Sequence, residues 1–225
     1  MNEAGRFTSS LRCGASGLGI VLTDRQIDAM YAYYRRVVET NRQLNLTRLT
    51  EAEPAAVRLF ADSLAPVAWA RGCDMPVRTV LDIGTGAGFP GVVIAIVEPR
   101  WTVTAIDATA KKINFVRSAT REIGVPNLRV MHARAEHWDC RASFGLVTLK
   151  AIGSLARSVE TAHRFVAPGG VVAVFKSASI ATREIDAGQR TAQPLGLAMQ
   201  PAWPYAIPLA GETIRSSLFV FRRAC

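Results

Sequence analysis

The stretch Leu81–Gly91, "LDIGTGAGFPG", contains two overlapping glycine patterns. Counted from Gly86, it is G-A-G-F-P-G, which fits the G-x-G-x-x-G fingerprint of dinucleotide-binding enzymes. Counted from Asp82, it is D-I-G-T-G-A-G, which indicates a different adenosine cofactor. In both cases glycine would let the backbone approach a ligand that a Cβ would touch. A purely structural turn between a strand and a helix is the remaining alternative.

Around this loop the chain alternates between strand-like and helix-like segments. The strand "VRTVLDI" precedes the loop, and the helix "GVVIAIVEP" follows it. Such alternation predicts an α/β fold, with a Rossmann-like, mostly parallel sheet over residues 73–225 and helices on both faces. The last strand is predicted to follow a long loop, as expected for a terminal hairpin. The other predicted strands are "WTVTAID", "LRVMHA", "FGLVTLKA", "VVAVFKS" and "SSLFVFRRA", and the other helices are "ATAKKINFVRSATREIG" and "SLARSVETAHRFVAPGG".

The N-terminal third has a different character. Residues 1–18 are rich in Gly, Ser and Arg, so we predict a flexible segment. Thr23 and Gln26 form a capping-box pattern that predicts a helix from Asp24 to Leu44. Pro54 suits the first turn of a second helix. Residues 19–72 are therefore predicted to form a small helical cap.

The composition limits the kinds of partner and site. The chain has 225 residues, a formal net charge of +9 and 49% apolar residues. This balance favours an anionic partner such as nucleic acid, although a merely soluble basic surface also fits. The four cysteines form no C-x-x-C pair, so we expect reduced thiols and no metal site. No signal-like segment and no apolar run of membrane length is present, which predicts a cytoplasmic protein without membrane contact.

Two carboxylates bear on the cofactor. Asp82 precedes the first glycine by two residues, where its charge would repel the pyrophosphate of a dinucleotide. The cationic sulfonium and amino groups of S-adenosylmethionine would instead be attracted. Asp107 ends the next strand and can accept hydrogen bonds from both ribose hydroxyls of either cofactor. Only one nucleotide-binding-like unit fits the chain, which also favours S-adenosylmethionine.

The segments "VLDIGTGAG", "IDA" and "HRFVAPGGVVAVFK" resemble the class I S-adenosylmethionine-dependent methyltransferases over about residues 77–223. "LNLTRLTEAEPAAVRLFADSL" followed by "VLDIGTGAGFPGVVIAI" is similar to a narrower group, the bacterial 16S rRNA guanine-N7 methyltransferases (glucose-inhibited division protein B family). "LTDRQI", "KKINFVRSATREIGVPNLRVMHARAE" and "IPLAGE" match that family in the same order. This resemblance extends from about residue 17 to the C-terminus and implies an antiparallel last strand.

The resemblance also implies roles for individual residues. Gly84 and Phe89 would line the cofactor site, Asp107 would hold the ribose, and Ala135 and Glu136 would frame the adenine. The full set of expected cofactor-binding residues is Asp82, Gly84, Gly86, Phe89, Asp107, Ala135, Glu136 and Lys150.

Three positions depart from the family pattern. Lys150 stands where an arginine is expected, Leu59 where a histidine is expected, and Gly145 where an aspartate is expected. Lysine cannot make the planar, two-pronged contact of arginine. These departures bear on how the substrate is handled.

Four residues are expected to face the RNA substrate: Asn45, Arg58, Asp62 and Lys176. Simpler roles remain open for each. Asn45 can cap a turn, Arg58 and Asp62 can form an i,i+4 ion pair, and Lys176 can be a solvated residue at a strand end.

The resemblance implies methyl transfer to guanine N7 in small-subunit rRNA, on the subunit or an assembly intermediate. N7 carries a lone pair, so direct displacement needs neither a covalent intermediate nor an obligatory base. The chain shows no Asp/Asn-Pro-Pro-aromatic stretch and no Pro-Cys pair, which disfavours exocyclic-amine and pyrimidine-C5 methylation. Methylation of another RNA or a small molecule, or a non-catalytic role in ribosome assembly, remain the alternatives.

Overall fold

The computed structural model describes residues 1–141, 143–209 and 211–225, so residue 210 of the "IPLAGE" segment lies outside the described residues. Eight strands form one sheet in the order β3-β2-β1-β4-β5-β8-β6, and β7 pairs separately with β8. Strands β1 to β5 are parallel, whereas β8 is antiparallel to β5, β6 and β7. The predicted fold class, including the antiparallel last strand, is confirmed. The strands are β1 (Thr79–Ile83), β2 (Thr102–Asp107), β3 (Leu128–His132), β4 (Phe144–Leu149), β5 (Val166–Ser177), β6 (Leu197–Met199), β7 (Trp203–Leu209) and β8 (Glu212–Arg223).

Helices cover the sheet and form the N-terminal cap. Helix α2 has the predicted bounds, because Thr23 and Gln26 make the reciprocal hydrogen bonds of a capping box. The α-helices are α1 (Glu3–Gly17), α2 (Asp24–Leu44), α3 (Ala52–Ala55), α4 (Ala65–Gly72), α5 (Gly91–Val97), α6 (Ala110–Glu122), α7 (Leu155–Ala162) and α8 (Thr182–Ala192).

The second cap helix is irregular in its middle. Between α3 and α4 the chain passes through a π-helical turn (Ala56–Ala61) and a 3-10 turn (Asp62–Leu64). Such π turns within helices are frequently found at functional sites. This one carries Arg58 and leads directly into Asp62, two residues that the sequence singles out.

The prediction that residues 1–18 are flexible is wrong. They contain α1, whose Phe7, Leu11 and Ala15 side chains are completely buried. Gly14 lets α1 approach the second cap helix, since a Cβ there would lie 2.6 Å from the Ala61 side chain. Gly14, one of the small residues that suggested flexibility, therefore allows close helix packing.

The prediction of a long loop before the last strand is also wrong. That segment contains α8, β6 and β7. Pro204 and Pro208 favour a loop in the sequence, but an edge strand tolerates proline because its outer N–H groups need no partner. Tyr205, Ile207 and Leu209 alternate with exposed residues and bury one face of β7.

The predicted helix before "APGG" is shorter than expected, because α7 ends at Ala162.

Aromatic side chains join the cap to the sheet. The Phe60 ring lies edge-on to Phe89, with ring centroids 4.9 Å apart, and Tyr33 lies edge-on to the same ring at 5.9 Å. Phe7 of α1 stacks on Tyr34 at 4.8 Å. The cap tyrosines Tyr33 and Tyr34 are thus buried packing residues.

The burial of α1 leads to a stability prediction. Phe7→Ala should lower the free energy of unfolding by about 4 kcal/mol, because it removes a fully buried aromatic ring and leaves a cavity. Urea unfolding followed by circular dichroism measures this change. Ser9→Ala, on the exposed side of the same helix, is the matched control and should change little. Equal stability of Phe7→Ala and the wild type would show that α1 is not part of the core.

Candidate functional site

The glycine loop, residues 84–91, follows β1 at the carboxyl edge of the sheet. Gly84, Gly86 and Gly88 have φ angles of +66°, +57° and +94°, a backbone conformation that residues with a Cβ rarely adopt. A Cβ on Gly88 would lie 2.3 Å from the Tyr33 hydroxyl, so the cap also requires glycine there. Above Gly86, by contrast, a Cβ would meet only the Gly84 carbonyl, at 3.9 Å. The loop therefore presents an open backbone surface at Gly86.

Asp82 holds this loop from below. Its side chain is completely buried, and its oxygens accept hydrogen bonds from the Gly91 N–H at 2.9 Å and the Thr148 hydroxyl at 3.1 Å. Burial raises the pKa of the Asp82 carboxyl to about 6, although these hydrogen bonds act in the opposite direction. The Asp82 side chain therefore positions the start of α5, and its direct contact with a cofactor stays a prediction.

Asp107 holds the loop from the neighbouring strand. One carboxylate oxygen accepts a hydrogen bond from the Gly86 N–H at 2.9 Å, and the other accepts one from the Thr109 N–H at 2.8 Å. Each carboxylate oxygen has a second lone pair. Asp107 can therefore accept two further hydrogen bonds while it fixes the loop.

These features fit an adenosine cofactor such as S-adenosylmethionine. The loop leaves backbone exposed at Gly86, where a side chain would occupy ligand space. Asp107 retains acceptor capacity for the two ribose hydroxyls. Ala135 lies buried in a 3-10 turn just after β3, next to the same edge. The residues present therefore offer an open backbone and hydrogen-bond acceptors of the kind that a nucleoside requires.

Lys150 connects the end of β4 to the cap. Its ammonium group lies 2.8 Å from the Asp62 carboxylate and donates hydrogen bonds to the Arg58 carbonyl at 3.0 Å and the Ser63 hydroxyl at 3.3 Å. The other Asp62 oxygen accepts a hydrogen bond from the Tyr205 hydroxyl at 2.7 Å. We call Asp62, Lys150 and Tyr205 the cap latch. Because the three ammonium hydrogens have partners here, binding of the cofactor by Lys150 stays a prediction.

The contacts of the cap latch exclude the i,i+4 ion pair between Arg58 and Asp62 that their sequence spacing allows. Arg58 and Asp62 do not pair with each other. The Arg58 guanidinium lies 2.8 Å from Glu212 of β8, and Asp62 pairs with Lys150. Burial and the Asp62 charge raise the pKa of Tyr205 well above its ordinary value, so this hydroxyl remains a donor to Asp62.

The remaining predicted residues make local contacts of their own. Lys176 pairs with Glu184 at 2.7 Å and also donates a hydrogen bond to the Gly153 carbonyl. The hydrogen bond from Lys176 to the Glu184 carboxylate lowers the pKa of Glu184. Glu136 pairs with Arg157 at 2.8 Å on the surface. Asn45 is exposed and ends α2 in the left-handed conformation, which is the capping role that its sequence allows. Roles for these residues in binding RNA or cofactor stay predictions.

Phe89 lies mainly in the aromatic cluster beneath the cap. It is only 7% exposed and contacts the Tyr33 and Phe60 rings. Its role beside the cofactor stays a prediction, while its packing links the glycine loop to the cap.

Three residues of the site were not singled out by the sequence patterns. Tyr33 donates a hydrogen bond of 2.8 Å to the Ala87 carbonyl, Thr148 donates to Asp82, and Tyr205 donates to Asp62. Thr148 leaves a signal, as the polar residue in the apolar strand "FGLVTL". Tyr33 and Tyr205 act over 54 and 143 residues of sequence separation, and no local pattern reveals such contacts.

The cap latch predicts a stability effect. Lys150→Met should lower the free energy of unfolding by about 2 kcal/mol, because it leaves the Asp62 carboxylate, 13% exposed, without its counter-charge. Lys150→Arg should recover most of this loss, since a guanidinium can still pair with Asp62. Urea unfolding compares the three proteins, with the exposed Lys111→Met as control. Wild-type stability of Lys150→Met would contradict the latch.

No described helix is both long and apolar enough to cross a bilayer. Within residues 1–141, 143–209 and 211–225, no cluster of three or more His, Cys, Asp or Glu side chains is arranged to hold a metal ion.

Comparison with solved structures identifies the fold. The chain superimposes on TrmN from Thermus thermophilus with a TM-score of 0.53 at 22% identity, over 72% of this chain and 48% of that one. It superimposes on the precorrin-6y C5,15-methyltransferase from Geobacter metallireducens with a TM-score of 0.50 at 13% identity, over 66% of this chain and 81% of that one. At these identities the similarity establishes a shared methyltransferase fold.

Comparison of sequences is more specific. The chain is 34% identical to the ribosomal RNA small subunit methyltransferase G of Lactococcus lactis, over 86% of this chain and 82% of that protein. It is 32% identical to the protein of the same name from Bacillus velezensis, over 91% and 85% of the two chains. The family model for GidB, rRNA small subunit methyltransferase G, matches residues 26–201. The chain therefore belongs to the GidB family of rRNA small subunit methyltransferases G.

Proposed function

We propose that this protein transfers a methyl group from S-adenosylmethionine to N7 of a guanine in small-subunit rRNA. Family membership supports methyl transfer to rRNA. The observation that carries the assignment to this site is the glycine loop, with its open surface at Gly86 beside the Asp107 carboxylate. A small-subunit rRNA substrate places the reaction in the cytoplasm, where subunits are assembled.

Asp107 would hold the ribose, and the backbone at Gly84 and Gly86 would border the remainder of the cofactor. Ala135 and Glu136, just after β3, would frame the adenine. The cofactor supplies a methyl group on a positively charged sulfur. Asp82 would support the site from beneath the loop. Its carboxylate accepts a hydrogen bond from the Gly91 N–H and so fixes the loop that would border the cofactor.

Catalysis would come mainly from alignment of the two reactants. Guanine N7 has a free lone pair, so attack on the methyl group requires no prior removal of a proton. The two carboxylates nearest the loop, Asp82 and Asp107, are already engaged with backbone N–H groups. This arrangement suits direct displacement in a fixed geometry, which accelerates a bimolecular reaction without a general base.

A guanine must leave its stack to reach such a site, as in other enzymes that modify bases. The π-helical turn of the cap and the end of β4 border the carboxyl edge, where Arg58, Asp62 and Lys150 lie. We expect this rim to receive the displaced base, with Asn45 and Lys176 toward the flanking RNA.

Methyl transfer from labelled S-adenosylmethionine to unmodified small-subunit rRNA tests the proposal directly. After digestion to nucleosides, the label should appear as N7-methylguanosine. Because the reaction needs no general base, its rate at saturating substrates should change little from about pH 6.5 to pH 8.5. Label on a ring carbon, a ribose or an exocyclic amine would refute the N7 assignment. Cofactor binding without transfer to any RNA would favour an assembly factor.

The ribose assignment has a separate test. Asp107→Ala should weaken S-adenosylmethionine binding about 100-fold, because two hydrogen bonds to a charged acceptor are lost. Calorimetry measures this affinity, and Asp139→Ala, an exposed carboxylate after β3, is the control. The variant should also bind S-adenosylmethionine and an analogue without ribose hydroxyls equally well. Continued discrimination between the two would place the ribose elsewhere.

A further inference from the structure

The charge of this protein is concentrated on one edge of the sheet. Residues 108–134, which include α6 and β3, carry six cationic side chains and one acidic side chain, for a net charge of +5 out of the chain's +9. Strand β3 is the edge strand of the sheet, and α6 packs beside it. We call this surface the basic edge. Its cations are Lys111, Lys112, Arg117, Arg121, Arg129 and Arg134.

These cations are available to a partner. Five of them are exposed, and Lys112 is half-buried. The one acidic residue of the segment, Glu122, pairs with Arg36 of α2 at 3.2 Å. Among the described ion pairs, none involves a cation of the basic edge. At the carboxyl edge, by contrast, Lys150 and Lys176 are matched with carboxylates. Other exposed cations also lack such partners among the described ion pairs, Arg190 and Arg222 included, and the basic edge differs from these in its local net charge of +5.

Helix α6 arranges these groups along one stripe. Its apolar side, with Ile113 and Val116, is buried against the sheet. On the outer side, Asn114, Arg117, Ser118, Arg121 and Glu122 line a shallow groove. Arg117 also donates a hydrogen bond of 3.1 Å to the Val130 carbonyl of β3, which brings the helix stripe and the edge strand together.

The basic edge begins at the proposed active site and leads away from it. The Ala133 N–H donates to the Asp107 carbonyl at 3.2 Å, so Arg134 lies next to the proposed ribose site. Lys111 and Lys112 are in the first turn of α6, just after Asp107. Arg121, eleven residues beyond the start of α6, lies about 16 Å farther along the helix axis.

We propose that the basic edge binds the sugar–phosphate backbone of the rRNA segment that flanks the target guanine. Unpaired cations with interspersed Asn and Ser donors are the groups that contact phosphates and sugars. The only Phe, Tyr or Trp of the segment, Phe115, is buried, and the His132 ring is already in contact with the Ala108 carbonyl, so the segment favours phosphate contacts over base stacking. The basic edge thus binds RNA independently of sequence, and recognition of the guanine remains at the carboxyl edge. This inference rests on the proposed rRNA substrate.

The test uses Arg121 and Arg129, at the end of the basic edge that is remote from the cofactor. In-vitro transcribed small-subunit rRNA is titrated with the full-length protein at several salt concentrations. Each phosphate contact contributes about 0.7 to 0.9 to the slope of log affinity against log salt concentration. R121Q/R129Q should therefore reduce the magnitude of the slope by about 1.4 to 1.8. It should also raise the KM for rRNA and leave kcat and cofactor affinity unchanged.

Two matched variants separate this result from general loss of charge. R121K/R129K keeps the charge and should keep the wild-type slope. R190Q/R222Q removes two exposed cations from α8 and β8, beyond β5 at the other end of the sheet, and should also keep it. Thermal unfolding verifies that each variant is folded. If the double glutamine variant does not fold, R121Q and R129Q alone should each show half of the effect.

An unchanged slope for R121Q/R129Q, or an equal reduction for R190Q/R222Q, would overturn the proposal. The experiment distinguishes failure of this proposal from failure of the proposed function. If the wild type methylates rRNA and R121Q/R129Q behaves identically, only the basic edge is wrongly assigned. If the wild type binds rRNA through these residues but transfers no methyl group, the proposed function fails and the RNA surface stands.

Discussion

Two carboxylates, Asp82 and Asp107, accept hydrogen bonds from the backbone of the glycine loop, and the site depends on these contacts. The loop contains three glycines in the left-handed region, a conformation that other residues adopt only with strain. Asp82 fixes its exit at Gly91, and Asp107 fixes its centre at Gly86. Because both anchors come from strand ends, the position of the loop follows from the register of β1 and β2.

The cap is part of this arrangement and not a separate attachment. Tyr33 reaches over Gly88, donates to the Ala87 carbonyl, and is buried among the rings of Phe60 and Phe89. Burial and the nearby Asp82 charge raise the pKa of Tyr33 well above its ordinary value, which keeps the hydroxyl as a donor. The cap latch adds a second connection, from Asp62 to β4 and β7. Two sides of the carboxyl edge are thereby tied to the cap helices.

Local patterns in the sequence account for the elements whose structure is determined locally. The capping box gave the start of α2, and the glycine spacing with Asp82 and Asp107 located the loop and its two carboxylates. Helix α1 was missed because its composition resembles a flexible segment, whereas Phe7 and Leu11 become buried only when α1 packs against the other cap helices and β7. Strand β7 was missed for a related reason, since its prolines are acceptable only at an edge that tertiary pairing creates.

The partners of the individual side chains were the least predictable part of the site. Arg58 and Asp62 have the spacing of a helical ion pair, yet each pairs with a residue remote in the sequence. The π-helical turn at Ala56–Ala61 alters the regular i,i+4 relation on which that expectation rests. Lys150 meets the carbonyl of Arg58 and the side chain of Asp62 because this turn lies against the end of β4.

The distribution of charge separates two tasks within one basic protein. At the carboxyl edge, Lys150 and Lys176 are paired with carboxylates and stabilise the frame of the site. On α6 and β3 the cations have no such partners among the described ion pairs, although their mutual repulsion disfavours the folded state. A bound polyanion would relieve that repulsion. At the carboxyl edge, the paired carboxylates already neutralise most of the repulsion between cations. Net charge alone indicates an affinity for nucleic acid, and the local excess of cations over carboxylates on α6 and β3 indicates where on the surface we expect that affinity to reside.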